Sequence, residues 1–139
     1  MARGIYSPQL GGIEGGWQGG NPMQRLIHSF RYAFAGIGYL FRTQPNARIQ
    51  LGITLVVVGA GLWVGLPARD WAVIALAVGL VFTAEAFNTA LEAVVDLASP
   101  EQQELARVAK DVGAAAVTLA ALAAVVVGVL VLGPRILDF

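Results

Sequence analysis

Three stretches of this chain are predominantly apolar, the second with acids in its latter half, over lengths that a soluble domain of its size could not hide. They run from Leu51 to Leu66, from Trp71 to about Ala98, and from Val112 to Gly133. A helix of about 20 apolar residues crosses a bilayer and satisfies its own backbone groups inside it. The first stretch is slightly short, and Ile49 ahead of it and Trp63 near its end support a span over 49–66. The other two spans are expected over 71–98 and 112–133. Composition agrees: 57% of the 139 residues are hydrophobic and 13% charged, against about 25% charged in soluble domains. The length allows one domain. The expected fold is an all-α integral membrane protein. There is no cysteine, which excludes a disulfide framework, thiolate metal ligands and a cysteine nucleophile.

The first 21 residues are glycine-rich and contain Pro8 and Trp17, so 1–21 is expected to be a mobile tail. No charged segment followed by an apolar core and a small-residue cleavage site is seen there, and a signal peptide is not expected. The membrane domain is then 22–139. Asn21-Pro22 is a helix start, with Asn21 as cap and Pro22 in the first turn. Over 22–42, Leu26, Phe30, Phe34, Ile37 and Phe41 recur every three or four residues, while Arg25, Arg31 and Arg42 lie off that stripe. This is a basic amphipathic helix of the kind that lies in a membrane interface, although packing against protein helices would also account for it. His28 has no histidine or cysteine partner and is read as a surface residue. Breaks are expected at Gln44-Pro45-Asn46, at Pro67 to Asp70 as a tight polar turn, and over the polar stretch Ser99 to Asp111.

Basic residues orient the spans. Arg3, Arg25, Arg31, Arg42, Arg48, Arg107 and Lys110 fall on one side, and Arg69 and Arg135 on the other. The positive-inside rule places the N-terminus and the 99–111 stretch in the cytosol and the C-terminus outside. No basic stripe suited to nucleic acid is present. No internal repeat is visible, so an inverted-repeat transporter gains no support.

Chemistry concentrates in EAFNTALEAVVD, residues 85–96. On a helix Glu85, Asn88, Thr89, Glu92 and Asp96 fall at i, i+3, i+4, i+7 and i+11 and form one polar stripe. A charged side chain near the bilayer centre costs about 2.5–3.5 kcal/mol on insertion scales, so intramembrane acids point to function. Simple solvation at the aqueous end competes with that reading, more for Asp96 than for the deeper Glu85. Two carboxylates and an amide suit a hard, oxygen-ligated cation such as magnesium, and they suit general-base chemistry. Thr89 is more naturally a packing hydroxyl. At the entrance to the last helix stand Arg107, Lys110 and Asp111, with Arg107 and Asp111 spaced for an i,i+4 pair. Lys110 can offer an ammonium to an anion, although an ordinary positive-inside anchor would look the same. Acids and a basic cluster at one interface together fit phosphoryl transfer. No GxxxxGK[ST] loop and no HRD or DFG set is present.

EAFNTALEAVVD, a polar stretch and then AKDVGAAAV together resemble the signature of the prokaryotic diacylglycerol kinase family. The upstream SFRYAFAGIGYLFRTQPNARIQL resembles its N-terminal part, particularly in the undecaprenol kinase branch. The match covers about residues 22–133 in the family's order and spacing. The resemblance implies an amphipathic surface helix plus three spans. It also implies a homotrimer with sites between protomers, and magnesium-dependent transfer of the ATP γ-phosphoryl group to a lipid alcohol, diacylglycerol or undecaprenol. By matching residues it implies Glu85 as general base and Glu92 as metal ligand beside ATP, with Asn88 and Asp96 shaping the site. Lys110 and Asp111 would contact the nucleotide phosphates, and Arg25, Tyr32 and Glu101 would help to hold ATP or lipid.

Three positions depart from the pattern. Many members carry Glu where this chain has Gln44, which can still offer an amide oxygen to metal and nucleotide but no charge. Gln50 stands where the undecaprenol kinase branch often has His, and Ala114 where some members have Ser. The competing reading from another class is a small oligomeric transporter or channel with Glu85 and Glu92 as ion sites. Such a protein has no need of Arg107, Lys110 and Asp111 beside the acids.

Overall fold

A computed structural model of the chain describes residues 21–99 and 103–137. Four helices follow one another: α1 (Pro22–Thr43), α2 (Pro45–Trp63), α3 (Ala68–Ala98) and α4 (Glu104–Leu137). The last three are each long and apolar enough to cross a membrane, and the chain is an all-helical, multi-pass membrane protein. The expected tail over 1–21 lies, except for Asn21, outside the described residues.

The start of α1 is a reciprocal cap. The Gln24 backbone N–H donates to Asn21 Oδ1 at 2.9 Å, and the Asn21 N–H donates to Gln24 Oε1 at 3.3 Å. Two otherwise orphaned donors are satisfied this way. Of the described residues, those up to Gly38 belong to one unit and those from Tyr39 onwards to another. In the first unit Leu26, Phe30, Phe34 and Ile37 are all more than half exposed, so the apolar stripe is free for a lipid interface.

Within the second unit, the break between α1 and α2 is a single residue. Pro45 has no N–H and crowds the residue before it, so α1 stops at Thr43. Gln44 takes an extended conformation as the N-cap of α2, with Pro45 next. Phe41, in the last turn of α1, meets Phe82 of α3 edge-on, with ring centroids 5.7 Å apart.

The helix ends do not coincide with the ends of the apolar stretches that mark them in the sequence. α2 ends at Trp63, and the reversal occupies Val64 to Pro67 rather than Pro67 to Asp70. Gly65 takes a φ of 65°, which favours glycine. The Leu66 N–H returns to the Gly61 carbonyl at 3.0 Å, completing a Schellman-type stop. Pro67 then caps α3, and Asp70 sits in its first turn, where the helix dipole favours an acid. The polar stretch expected as a loop to Asp111 is largely helical, since α4 begins at Glu104. Arg107 pairs with Glu104 at 2.6 Å and with Asp111 at 3.0 Å. These i,i+3 and i,i+4 pairs suit a polar first turn.

α3 and α4 pack along their length, and α2 touches both more sparsely. The buried cluster of Leu66, Ile74 and Leu132, flanked by Val57, Trp71 and Val131, lies toward the end of the bundle away from Asp96. The Arg135–Asp70 pair, at 3.6 Å, closes that end. Large apolar side chains such as Leu76, Phe87 and Leu130 stay exposed, as suits surfaces that meet lipid or other helices.

Gly61 tests this packing. A Cβ there would lie 2.8 Å from the Trp71 ring and 2.9 Å from Leu66, whereas one at Gly59 meets open space. Gly61→Val should cost about 1–3 kcal/mol by overpacking and lower the thermal midpoint in detergent, with Gly59→Val close to wild type. Equal midpoints for the two variants would contradict the described α2–α3 turn.

Candidate functional site

The polar stripe of α3 is divided among three sets of partners. Glu85 is the deepest, only 2% exposed. Gln50 Nε2, from α2, donates to Glu85 Oε2 at 3.3 Å. The two nearby hydroxyls are committed to backbone: Thr89 Oγ1 donates to the Glu85 carbonyl at 2.8 Å and Thr54 Oγ1 to the Gln50 carbonyl at 2.8 Å. Such back-bonding satisfies a hydroxyl inside an apolar helix, and it gives Thr89 the packing role its chemistry suggests.

Two turns on, about 10 Å along the axis at 1.5 Å per residue, Glu92 collects two amides. Asn88 Nδ2 donates to its Oε1 at 3.0 Å, and Gln44 Nε2 approaches its Oε2 at 3.5 Å. The second contact is long and weak. Asn88 Oδ1 is buried and has no partner. It lies against α4 at Gly113, where any Cβ would collide with it. Glycine at 113 is therefore what lets α4 approach the Asn88 side chain.

A turn further, Asp96 accepts from Lys110 Nζ of α4 at 2.5 Å. The Lys110 side chain is 38% exposed and that of Asp96 65%. A pair this exposed is worth about 0–1 kcal/mol, so little holds the ammonium against a stronger anion. Asp111 is exposed and paired with Arg107.

The structure therefore brings together Gln44, Asn88 and Glu92, and links Asp96 to Lys110, with Asp111 one residue on. Arg25 and Tyr32 belong to the N-terminal unit, where the Tyr32 ring lies 6.4 Å from that of His28, centroid to centroid. Glu101 lies outside the described residues. Two residues escape the sequence reading of the site. Gln50, noted there only as a departure, proves to be the side-chain partner of Glu85, and its signal was an isolated amide in an apolar run. Gly113 carries no signal in sequence, because its role is the space it leaves for Asn88.

Among the described residues no three acidic, histidine or cysteine groups come together to hold a metal. The Glu92 cluster fits a hard cation in another way. Amide oxygen and nitrogen exchange places by a simple flip. Flipped, Asn88 and Gln44 would present oxygens beside the Glu92 carboxylate, and Asn88 already carries a buried oxygen without a donor. One carboxylate with two neutral oxygens matches a magnesium ion that takes its remaining ligands from water and phosphate.

Comparison with known proteins shows which proteins the chain is similar to. The family described as prokaryotic diacylglycerol kinase matches residues 31–132. The chain is 49% identical over 114 residues to a diacylglycerol kinase of Synechocystis sp., covering 81% of this chain and 65% of that protein's length. It is 34% identical over 116 residues to the undecaprenol kinase of Bacillus subtilis, covering 84% of this chain and 94% of that one. With the diacylglycerol kinase of Escherichia coli it shares 32% over 102 residues, covering 73% and 84%.

The contact of α4 with Asn88 makes a non-additive prediction. Gly113→Ala should lower the thermal midpoint by overpacking, worth about 1–3 kcal/mol. Adding Asn88→Ala should restore part of the loss, because it removes the atoms the new Cβ strikes. A double variant as unstable as the sum of the singles would show that Asn88 does not lie against Gly113.

Proposed function

The chain belongs to the prokaryotic diacylglycerol kinase family, and on that premise we propose that it is a lipid kinase moving the ATP γ-phosphoryl group to the hydroxyl of a membrane lipid alcohol. The acceptor is diacylglycerol or undecaprenol, each the substrate named for a relative of this chain. The observation that carries the reading is the separation of two carboxylates on one helix. Glu85 is buried beside an amide, and Glu92 stands nearer the polar end of α3 among groups able to hold a cation.

Each residue then has a task. Glu85 is the general base: it accepts the hydroxyl proton as the lipid oxygen forms its bond to phosphorus and the bond to ADP breaks. Glu92, with the amide oxygens of Gln44 and Asn88, would hold magnesium, which neutralises phosphate charge when bound. Lys110 turns from Asp96 to a phosphate oxygen, an exchange made easy by the exposure of the pair. Asp96 shapes the site by receiving Lys110 when no phosphate is bound, and Asp111 lies on the nucleotide side. Arg25, Tyr32 and Glu101 would contact nucleotide or lipid. Gln44 brings no charge, so more of the cation's hold falls on Glu92.

Orientation follows from the ends of the bundle. Arg42, Arg48, Arg107 and Lys110 gather where α2 begins, α3 ends and α4 begins, against Arg69 and Arg135 at the other end. That excess favours a cytosolic site in the inner membrane, where ATP and a lipid hydroxyl can meet. Assembly as a homotrimer would cover apolar faces that one protomer leaves exposed, and would let neighbours complete the site.

The test is transfer of labelled phosphate from ATP to diacylglycerol and to undecaprenol, offered separately in detergent micelles. One lipid should be phosphorylated, and Glu85→Gln should lower turnover about 10²–10⁴-fold with ATP binding kept. Loss of ATP binding in that variant would remove Glu85 as the base, and no transfer to either lipid by folded protein would overturn the kinase reading. Glu92→Gln should raise the magnesium concentration needed for half-maximal rate; an unchanged magnesium dependence would contradict its role as ligand.

A further inference from the structure

The Gln50 amide is only half used. Its Nε2 donates to Glu85 Oε2, while its Oε1 is buried and without a partner. An amide oxygen in that state gains from any donor that reaches it. The neighbouring hydroxyls supply none, because Thr54 and Thr89 donate to backbone carbonyls.

Gln50 and Thr54 also line an apolar groove of about 450 Å³ that passes Val57 of α2 and Val81 of α3 and reaches Leu132 and Ile136 of α4. Along α4 the groove extends over residues 121–136, about 22 Å at 1.5 Å per residue. It is thus a long hydrocarbon slot with Gln50 at its polar end: the amide oxygen there lacks a donor, and the nitrogen of the same amide holds the Glu85 carboxylate, which lies behind Gln50 and outside the lining. A ligand matching both has a long apolar chain and a hydroxyl at its head.

We propose that Gln50 is a positioning residue that docks the acceptor alcohol, a role that rests on the lipid-kinase reading. Its Nε2 fixes the Glu85 carboxylate, and its Oε1 accepts the hydroxyl hydrogen of a lipid whose chain lies in the groove. The hydroxyl oxygen is thereby held beside Glu85. Rotation about the lipid C–O bond turns the same proton from Gln50 Oε1 to Glu85. The O–H bond then breaks toward Glu85 as the oxygen takes the phosphoryl group and ADP leaves. Gln50 itself gains and loses nothing.

The donor requirement can be tested without nucleotide. Dioctanoylglycerol and farnesol, each beside its own methyl ether, are titrated against the full chain in detergent micelles. The ether keeps the chain but has no hydrogen to give. Wild type should bind at least one alcohol about tenfold more tightly than its ether, and Gln50→Met should bind the two alike. Gln50→Asn, whose shorter amide falls short of Glu85, serves if the methionine variant does not fold. Equal binding of alcohol and ether by wild type, a preference that survives both substitutions, or no binding of either alcohol because a second copy fills the groove would each overturn the proposal. Wild type that prefers the alcohol yet never phosphorylates it would overturn the kinase reading instead, and leave Gln50 as a docking residue for alcohols. In turnover, Gln50→Met should lower kcat/KM for lipid about a hundredfold and leave KM for ATP within about twofold. On a Glu85→Gln background it should cost nothing further, since the two act as a unit. A parallel loss in ATP affinity would mark Gln50 as merely structural.

Discussion

A carboxylate inside a membrane helix must find a partner or be excluded, and Glu85 sets that demand for the whole bundle. Water is not available to it, and a bare charge in hydrocarbon is costly. The chain answers with an amide from another helix, Gln50 of α2. That contact ties α2 to α3 where apolar packing between them is sparse. It also commits the first turns of α2 to the side of the bundle where α3 carries its acids.

The same device recurs toward the polar end of α3, where Glu92 receives amides from Asn88 and Gln44. Neutral amides suit both places for one physical reason. A cation would bind either carboxylate firmly and would have to be displaced before a substrate or metal could use it. An amide gives a weaker hydrogen bond and presents an oxygen after a flip. The two carboxylates are thus held in place yet open to exchange. The Asp96–Lys110 pair at the rim is exposed and charged, and its ammonium is free to exchange partners because solvent screens it.

Much of this was legible in the sequence because it rests on periodicity. The polar stripe from Glu85 to Asp96, the three apolar helices, the Asn21-Pro22 start and the Arg107–Asp111 pair all follow from the 3.6-residue repeat and from cap chemistry. The helix ends were less legible, since polarity marks where the membrane stops and not where hydrogen bonding stops. Glu104 to Asp111 stays helical through its own ion pairs, and Asp70 belongs inside α3 for its dipole. Contacts between helices were less legible, beyond the shared interface that sets Lys110 beside the acids. Nothing in the order of residues says that Gln50 meets Glu85, or that Gly113 clears a space for Asn88.

On the lipid-kinase reading Glu85 moves a proton and never carries phosphate, so the phosphoryl group passes directly from ATP to the lipid oxygen. The most direct measurement is the stereochemistry of transfer from ATP made chiral at the γ-phosphorus with oxygen isotopes. A single in-line displacement predicts inversion at phosphorus in the lipid phosphate. Retention would require two displacements through a phosphorylated side chain, and would rule out direct transfer.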